Sequence, residues 1–236
     1  MISVCLATYN GEKYLKQQID SILCQLDEND ELIISDDHST DLTSVIISNY
    51  NDSRISFYLN NNRKGVIGNF ENALTKVKGD YVFLCDQDDI WLPYKVSNCV
   101  ESLKTNDLVV TDCSVVDESL SIIEPSFYKI RNSGKGFWKN LYKNTYLGAC
   151  IAFRKESLKY ILPFPKSLPV FHEGWIASLI EIKGNVIFIP ECCILYRRHN
   201  NNVSMTVTKS NFTIWKQLSY RIHFLFLITF RLLKFI

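Results

Sequence analysis

Little in this 236-residue chain marks it for the nucleotide-binding folds that depend on glycine. It carries only 9 glycines, and the first turn after an apolar run reads Thr8-Tyr9-Asn10-Gly11-Glu12, with neither GxGxxG nor GxxxxGKS/T. A nicotinamide dehydrogenase and a P-loop NTPase both cradle phosphates on such a backbone, so both classes are disfavoured. The 8 cysteines form no CxxC pair, and several, such as Cys5 and Cys85, sit inside apolar runs. They read as small buried thiols kept reduced, not as a zinc site or a disulfide framework. Net charge is only +1, so no global field points to nucleic acid, although a local patch would escape that total. The longest uncharged stretch of the tail, Ile222 to Phe230, is too short to span a bilayer. Met1-Ile2-Ser3-Val4 runs straight into a strand without a basic-then-apolar leader, and a cytoplasmic setting is expected.

What the chain has in quantity is apolar residues, 47% against 22% charged, which is enough for one real core. Residues 2–8, ISVCLAT, form a β-branched run that stops at the turn signal Tyr9-Asn10-Gly11. EKYLKQQIDSILCQL then places Tyr14, Leu15, Ile19, Ile22, Leu23 and Leu26 on one helical stripe. A second strand, ELIIS, ends in Asp36-Asp37-His38-Ser39, and a helix follows through Asn49 with Thr40 or Asp41 able to cap it. RISFYLN predicts a third strand, GVIGNFENALTKVKG a helix closed by Gly79, and DYVFLC a fourth strand. Four strand–helix repeats in about 100 residues predict a parallel, doubly wound sheet. After residue 107 the pattern loosens. DLVVTDCSVV and GACIAF predict strands, residues 118–144 have no clean period, a helix is expected near 172–183, and NVIFIP is a further strand.

In doubly wound sheets ligands bind beyond the carboxyl ends of the strands. The polar clusters fall there: Thr8 to Gly11, Asp36-Asp37, and Asp86 to Asp89. Cys85-Asp86-Gln87-Asp88-Asp89-Ile90-Trp91 is the strongest chemical signal, because three neighbouring carboxylates repel one another when ionised. A hard divalent cation, magnesium or manganese, removes that cost, commonly with substrate phosphates completing its shell. The alternative is a solvated turn in which Asp88 or Asp89 caps the next helix. Asp36-Asp37 can accept hydrogen bonds from a nucleotide base or ribose, or can serve only as an acidic cap. Without a glycine cradle, a metal held by aspartates is the natural way to neutralise a diphosphate.

The combination of SVCLATYNGEKYLKQQIDSIL, ELIISDDHSTD, Gly65–Asn69–Phe70, GDYVFLCDQDDIWLP, LGACIAF, His172-Glu173-Gly174-Trp175 and Tyr196-Arg197-Arg198-His199-Asn200 resembles the family 2 glycosyltransferases of the GT-A fold. Within them it is most similar to the bacterial rhamnosyltransferase-like branch, over the chain up to about residue 205. The resemblance implies an α/β fold with a mostly parallel, doubly wound central sheet and flanking helices. It implies that Thr8, Tyr9 and Gly65 line a nucleotide-sugar pocket and that Asp37 meets the base, with Asp36 beside it. Asp86 and Asp88 would be the two ends of a DxD motif, Asp88 the direct metal ligand and Asp86 the ribose or water-mediated contact. Glu173 would be the catalytic base, and Arg198 and His199 would approach the diphosphate and the metal. Two positions depart from the branch, which commonly has His-Asp-Trp-Trp at the Glu173 motif and glycine at His38.

The reaction implied is an inverting displacement, in which Glu173 takes the proton of an acceptor hydroxyl as its oxygen attacks the anomeric carbon. Mn2+ or Mg2+ would offset charge on the departing diphosphate. The partners implied are a nucleotide-diphosphate sugar, with rhamnose favoured, and a glycan or lipid-linked acceptor in bacterial surface polysaccharide synthesis. Two other readings stay open: an inactive nucleotide-sugar-binding scaffold, which need not keep Asp86, Asp88 and Glu173 together, and a nucleotidyltransferase, which calls for a basic glycine-rich loop. The tail differs from everything before it, so a catalytic domain over 1–209 and a basic aromatic helix over 210–236 are expected. Reading WKQLSYRIHFLFLITFRLLKFI without an acid, the tail either lies in the interface of the inner membrane or packs on the catalytic domain.

Overall fold

The computed structural model describes residues 1–169, 172–199 and 213–235. Asn200, the expected domain boundary at 209/210 and Ile236 lie outside the described residues.

The first half follows the strand–helix alternation read from the sequence. Strands β1 (Ile2–Thr8), β2 (Glu31–Asp36), β3 (Ile55–Leu59) and β4 (Tyr81–Asp86) lie in the order β3-β2-β1-β4, all parallel. Helices α1 (Leu15–Leu23), α2 (Thr43–Ser48) and α3 (Val66–Leu74) connect them. β1 and β2 are buried along their whole length. Strands covered on both faces need no polar alternation, which is why these two read as continuous apolar runs. α1 turns Leu15, Ile19 and Ile22 into the core. At the start of α2 the N-cap position falls to Leu42, and Asp41 one place before it accepts on Oδ1 from the amide and hydroxyl of Thr43.

The second half adds β5 (Ile90–Trp91), α4 (Lys95–Leu103), β6 (Leu108–Val116), β7 (Ile122–Glu124), α5 (Phe127–Arg131), α6 (Phe137–Tyr142), β8 (Ile151–Arg154), α7 (Leu158–Ile161), α8 (His172–Lys183), β9 (Val186–Arg197) and α9 (Ile214–Leu233). Among the described residues the sheet has nine strands, ordered β3-β2-β1-β4-β8-β6-β9-β5 with β7 on β6. β8 runs against both β4 and β6, so β6 runs with β4, and β9 runs with β6. Two consequences place the site. The end of β9 reaches the edge where β1, β2 and β4 end. The 3-10 turn Gly148–Cys150, which leads into the reversed β8, reaches that edge as well.

Two sequence expectations are revised, and one alternative left open for the tail is met on one face of its helix. The strand NVIFIP does not stop at Pro190 but continues as β9 to Arg197. Its pairing with β6 slips between Thr111↔Ile189 and Asp112↔Cys192, leaving Pro190 and Glu191 in a bulge. A residue without an amide hydrogen costs no ladder bond there. Neither Asp88 nor Asp89 caps a helix, because Ile90-Trp91 pairs with β9 and α4 starts only at Lys95, behind Tyr94 at φ 70°. Finally, α9 packs on the domain through one face. Phe224 and Ile228 are buried, Phe224 sits 6.2 Å from Trp175 between ring centroids, and Arg231 donates to the carbonyls of Tyr160, Ile161 and Leu162 at 3.0 Å. No helix among the described residues is long and apolar enough to cross a membrane.

Candidate active site

Strand register sets the site. Thr8 pairs with Asp36 and Ala7 with Asp86, so three chain segments leave the sheet at one level. The first two are laced together. Thr8 Oγ1 donates to Asp36 Oδ1 at 2.9 Å, the Ser39 amide donates to Asp36 Oδ2 at 2.8 Å, and the Thr40 amide donates to Asn10 Oδ1 at 2.8 Å. Asp36 is only 2% exposed, and its carboxylate is used in joining these turns. Asp37 is half-buried, accepting from Asn60 Nδ2 and from the Gly65 amide, both at 2.7 Å. Gly65 has φ 96°, a conformation side chains resist, and in it the residue delivers its amide to Asp37 at the start of α3. His38, where the family branch has glycine, holds φ 64° and sets its Nε2 2.9 Å from the Asn60 carbonyl.

The acidic loop after β4 is pinned by Gln87. Its Nε2 donates to the Tyr9 carbonyl at 3.0 Å while its Oε1 accepts from the Tyr9 amide at 2.8 Å. A Cβ at Gly11 would collide with that Oε1, so a side chain there would displace the glutamine from its pairing with Tyr9. The glutamine therefore ties the loop bearing Asp86 and Asp88 to the turn of Thr8 and Tyr9, and Tyr9 itself is exposed. Asp88 Oδ2 meets His199 Nε2 at 2.8 Å. Asp89 is buried, with Oδ1 accepting from the Arg197 amide at 3.0 Å and Oδ2 without a partner.

Electrostatics follow from this crowding. Burial first, and the charge of Asp88 second, raise the Asp86 pKa to about 7. Burial, then Asp88 and Asp86, push Asp89 well above the usual carboxylate range. A group of oxygen donors that cannot all ionise in isolation fits a hard divalent cation. Among the described residues no three His, Cys, Asp or Glu side chains form a cage, so such an ion would draw further ligands from a bound phosphate.

Arg197 is buried and acts as an anchor. Its Nε donates to the Asp88 carbonyl, Nη1 to the Glu118 carbonyl and Nη2 to Gln17 Oε1, and its guanidinium lies 4.4 Å over the Tyr14 ring. Arg198 follows, half-buried, with its amide on the Val116 carbonyl at 2.8 Å.

Glu173 comes from the first turn of α8 and is 9% exposed. Asn144 Nδ2 donates to its Oε1 at 3.4 Å, and His172 Nδ1 lies 3.7 Å from its Oε2. Gly148 permits the close approach, since a Cβ there would stand 3.1 Å from His172 Nε2. Burial raises the Glu173 pKa to about 8, countered by a backbone hydrogen bond and reinforced by the charge of Asp86. His172 stacks on Phe70 at 4.0 Å, and burial lowers its pKa to about 3, so it is neutral.

The sheet edge thus sets Asp86 within the field of Asp88 and His199 against Asp88, places Thr8, Tyr9, Asp36, Asp37 and Gly65 as the adjoining wall, and holds Glu173 within the field of Asp86. Sequence reasoning passed over Gln87, Asn60, Asn144 and the anchoring role of Arg197. The place of Gln87 between aspartates was a visible signal. Asn144 sits in the aperiodic stretch and gave none.

A family model described as Glycosyl transferase family 2 matches residues 3–162. The chain belongs to glycosyltransferase family 2. It is 39% identical over 105 residues to the UDP-Glc:alpha-D-GlcNAc-diphosphoundecaprenol beta-1,3-glucosyltransferase WfaP of Escherichia coli, a match covering 44% of this chain and 42% of that protein. Among solved structures, S. aureus TarS 1–349 in complex with UDP-GlcNAc is similar at a TM-score of 0.66 and 18% identity, covering 95% of this chain and 71% of that one. The mannosyltransferase PcManGT from Pyrobaculum calidifontis, in complex with GDP-Man and Mn2+, is similar at 0.60 and 21% identity, covering 85% of this chain and 57% of that one. These likenesses make the architecture of this family 2 chain the GT-A fold, with a mostly parallel central sheet between helices.

Proposed function

We propose that this family 2 chain moves a sugar, with inversion, from a nucleotide diphosphate to a hydroxyl of a glycan or lipid-linked acceptor in bacterial surface polysaccharide synthesis. The observation that carries the reading is Glu173, a buried carboxyl raised to a pKa of about 8 at the same sheet edge as Asp86 and Asp88. A base poised near the working pH takes a hydroxyl proton more effectively than an ordinary carboxylate. In this account Glu173 removes the acceptor proton as the oxygen attacks, with Asn144 holding its Oε1. Thr8, Tyr9, Asp37 and Gly65 border the nucleotide, and Asp36 keeps their two turns in register. Arg198 lies along the diphosphate.

Asp88, with His199 against it, would hold a divalent cation, Mn2+ or Mg2+, with Asp86 as the water-mediated contact, and the ion when bound offsets the charge growing on the leaving diphosphate. The Mn2+ and GDP-Man of the mannosyltransferase support that part. For the donor, the sequence resemblance favours rhamnose, whereas the names of WfaP and of the TarS complex favour a UDP-linked sugar such as glucose or N-acetylglucosamine. The WfaP name likewise supports an acceptor linked to a lipid diphosphate. All eight cysteines stand as free thiols, which suits a reducing cytoplasm.

Nucleoside diphosphate release from a sugar-nucleotide panel tests the reading. Turnover is expected with Mn2+ or Mg2+, to vanish in excess chelator, and to vanish in Asp88→Ala with the melting transition retained. Full activity in chelator would remove the metal from the account. No turnover with any donor would favour an inactive nucleotide-sugar-binding scaffold.

A further inference from the structure

The two expectations for the tail, packing and exposure, hold on opposite faces of α9. Phe224 and Ile228 face the core, while Trp215, Leu218, Ile222, Phe226, Phe230 and Leu233 recur every three or four residues on the other side and stand in solvent. Trp215 is 81% exposed and Phe226 64%. A second exposed aromatic pair stands on the neighbouring α6 (Phe137–Tyr142). On α6, Trp138 is 72% exposed and Tyr142 74%, and Arg221 fastens the two helices together. Its Nε donates to the Leu141 carbonyl at 3.2 Å, its Nη2 donates to the Tyr142 carbonyl at 2.6 Å, and its guanidinium lies 5.0 Å over the Tyr142 ring.

Charge is segregated in the same way. Residues 125–153 and 213–235 contain nine Lys and Arg and no Asp or Glu, leaving 17 basic residues to face all 25 acids elsewhere in a chain of net charge +1. The carboxylate that reaches α6 from below, Glu181, is half-buried and accepts from the Gly136 amide. A face rich in exposed aromatics and aliphatics, on segments that carry cations and no acid of their own and with the half-buried Glu71 near Arg231, has the composition of an interfacial membrane surface: rings for the headgroup boundary, cations for the phosphates.

We propose that α6 and the outer stripe of α9 together seat this protein on an anionic lipid surface. The face runs into the active site, because Tyr142 stands two residues before Asn144, whose side chain donates to Glu173. A lipid-linked acceptor lying in that surface would reach the base from the side on which the protein sits. This last consequence rests on the proposed transferase reading; the lipid contact does not.

The test is co-sedimentation of the full chain, without donor or acceptor, with phosphatidylcholine vesicles that contain or lack phosphatidylglycerol. Binding is expected to the anionic vesicles, to be much weaker to the neutral ones, and to fall as salt rises. Phe226→Ser combined with Phe230→Ser should weaken partitioning about tenfold or more, and Trp138→Ser on the other helix severalfold. Val45→Ser, at an exposed apolar residue elsewhere, should leave it unchanged. All these side chains point outward, so circular dichroism and melting should match the wild type. Wild-type protein left in the supernatant with anionic vesicles would overturn the proposal. So would binding indifferent to the phenylalanines, or an ultracentrifugation dimer lost in the double variant while vesicle binding persists. Binding that ignores Trp138 would overturn the two-helix surface. Donor hydrolysis, measured separately without vesicles, reports on the catalytic reading alone.

Discussion

A carboxylate in the first turn of a helix ordinarily gains from the local dipole and stays ionised. Glu173 is held the other way, because burial outweighs that help and Asp86 adds a like charge nearby. In the free protein kcat/KM should therefore rise with pH toward about 8 and then level, since the base has to be deprotonated. Glu173→Gln keeps the shape and the Asn144 contact but removes the basic oxygen, and should cut kcat by about 10²–10⁴-fold with little change in donor KM. Normal turnover with weakened donor binding would make Glu173 a binding residue instead. The same group leaves a mark on stability. Its folded pKa lies above its ordinary value of 4.5, so across the window from 4.5 to about 8 the native state holds a proton that the unfolded chain has lost. Stability consequently falls as pH rises through that window, and Glu173→Gln should flatten part of the fall in melting temperature. Equal slopes in wild type and variant would contradict the assignment. At this scale the sequence was most legible where a residue type carries its chemistry in a motif, as at Asp86, Asp88 and Glu173. It was least legible where an amide works only through its fold, as at Asn144.

Between residues and the whole chain, the loops behave as units. The turn after β1 and the loop after β4 are one element because Gln87 pairs with both backbone groups of Tyr9. Gln87→Ala removes two half-exposed hydrogen bonds, so it should cost no more than about 1 kcal/mol of stability. It should nonetheless reduce kcat at least tenfold by loosening Asp86 and Asp88 relative to Thr8, and Gln87→Glu, which keeps an acceptor for the Tyr9 amide, should recover part of the loss. A variant with normal kcat would show that the loop is held by other contacts, chiefly Arg197. Apolar runs announced β1, β2 and β4 because both faces of those strands are buried. The length of β9 was not announced, since Pro190 reads as a stop and only the two-residue slip against β6 lets the strand pass it. That slip carries Arg197, Arg198 and His199 to the site. The short β7, α5 and α6 were not legible either, because residues 118–144 show no single period.

Across the whole molecule, one reversed strand and one long one gather the chemistry. β8 runs backward and brings Gly148 under the start of α8, and β9 runs forward to bring His199 onto Asp88. Sequence periodicity located the doubly wound half, but pairing between β6, β8 and β9 joins residues far apart in the chain and leaves no local signature. The tail shows the same limit: its composition named both a packed and an exposed helix, and only the packing on Trp175 separates the two faces. The claim on which the account depends is that this edge transfers a sugar with Glu173 as the base. The direct measurement is to incubate the protein with Mn2+, a panel of sugar nucleotides and a lipid-diphosphate N-acetylglucosamine acceptor, and to determine the anomeric configuration of the glycoside formed. A product inverted relative to its donor is expected, formed by the wild type and nearly absent with Glu173→Gln. A product of retained configuration, or one formed equally well by Glu173→Gln, would contradict it.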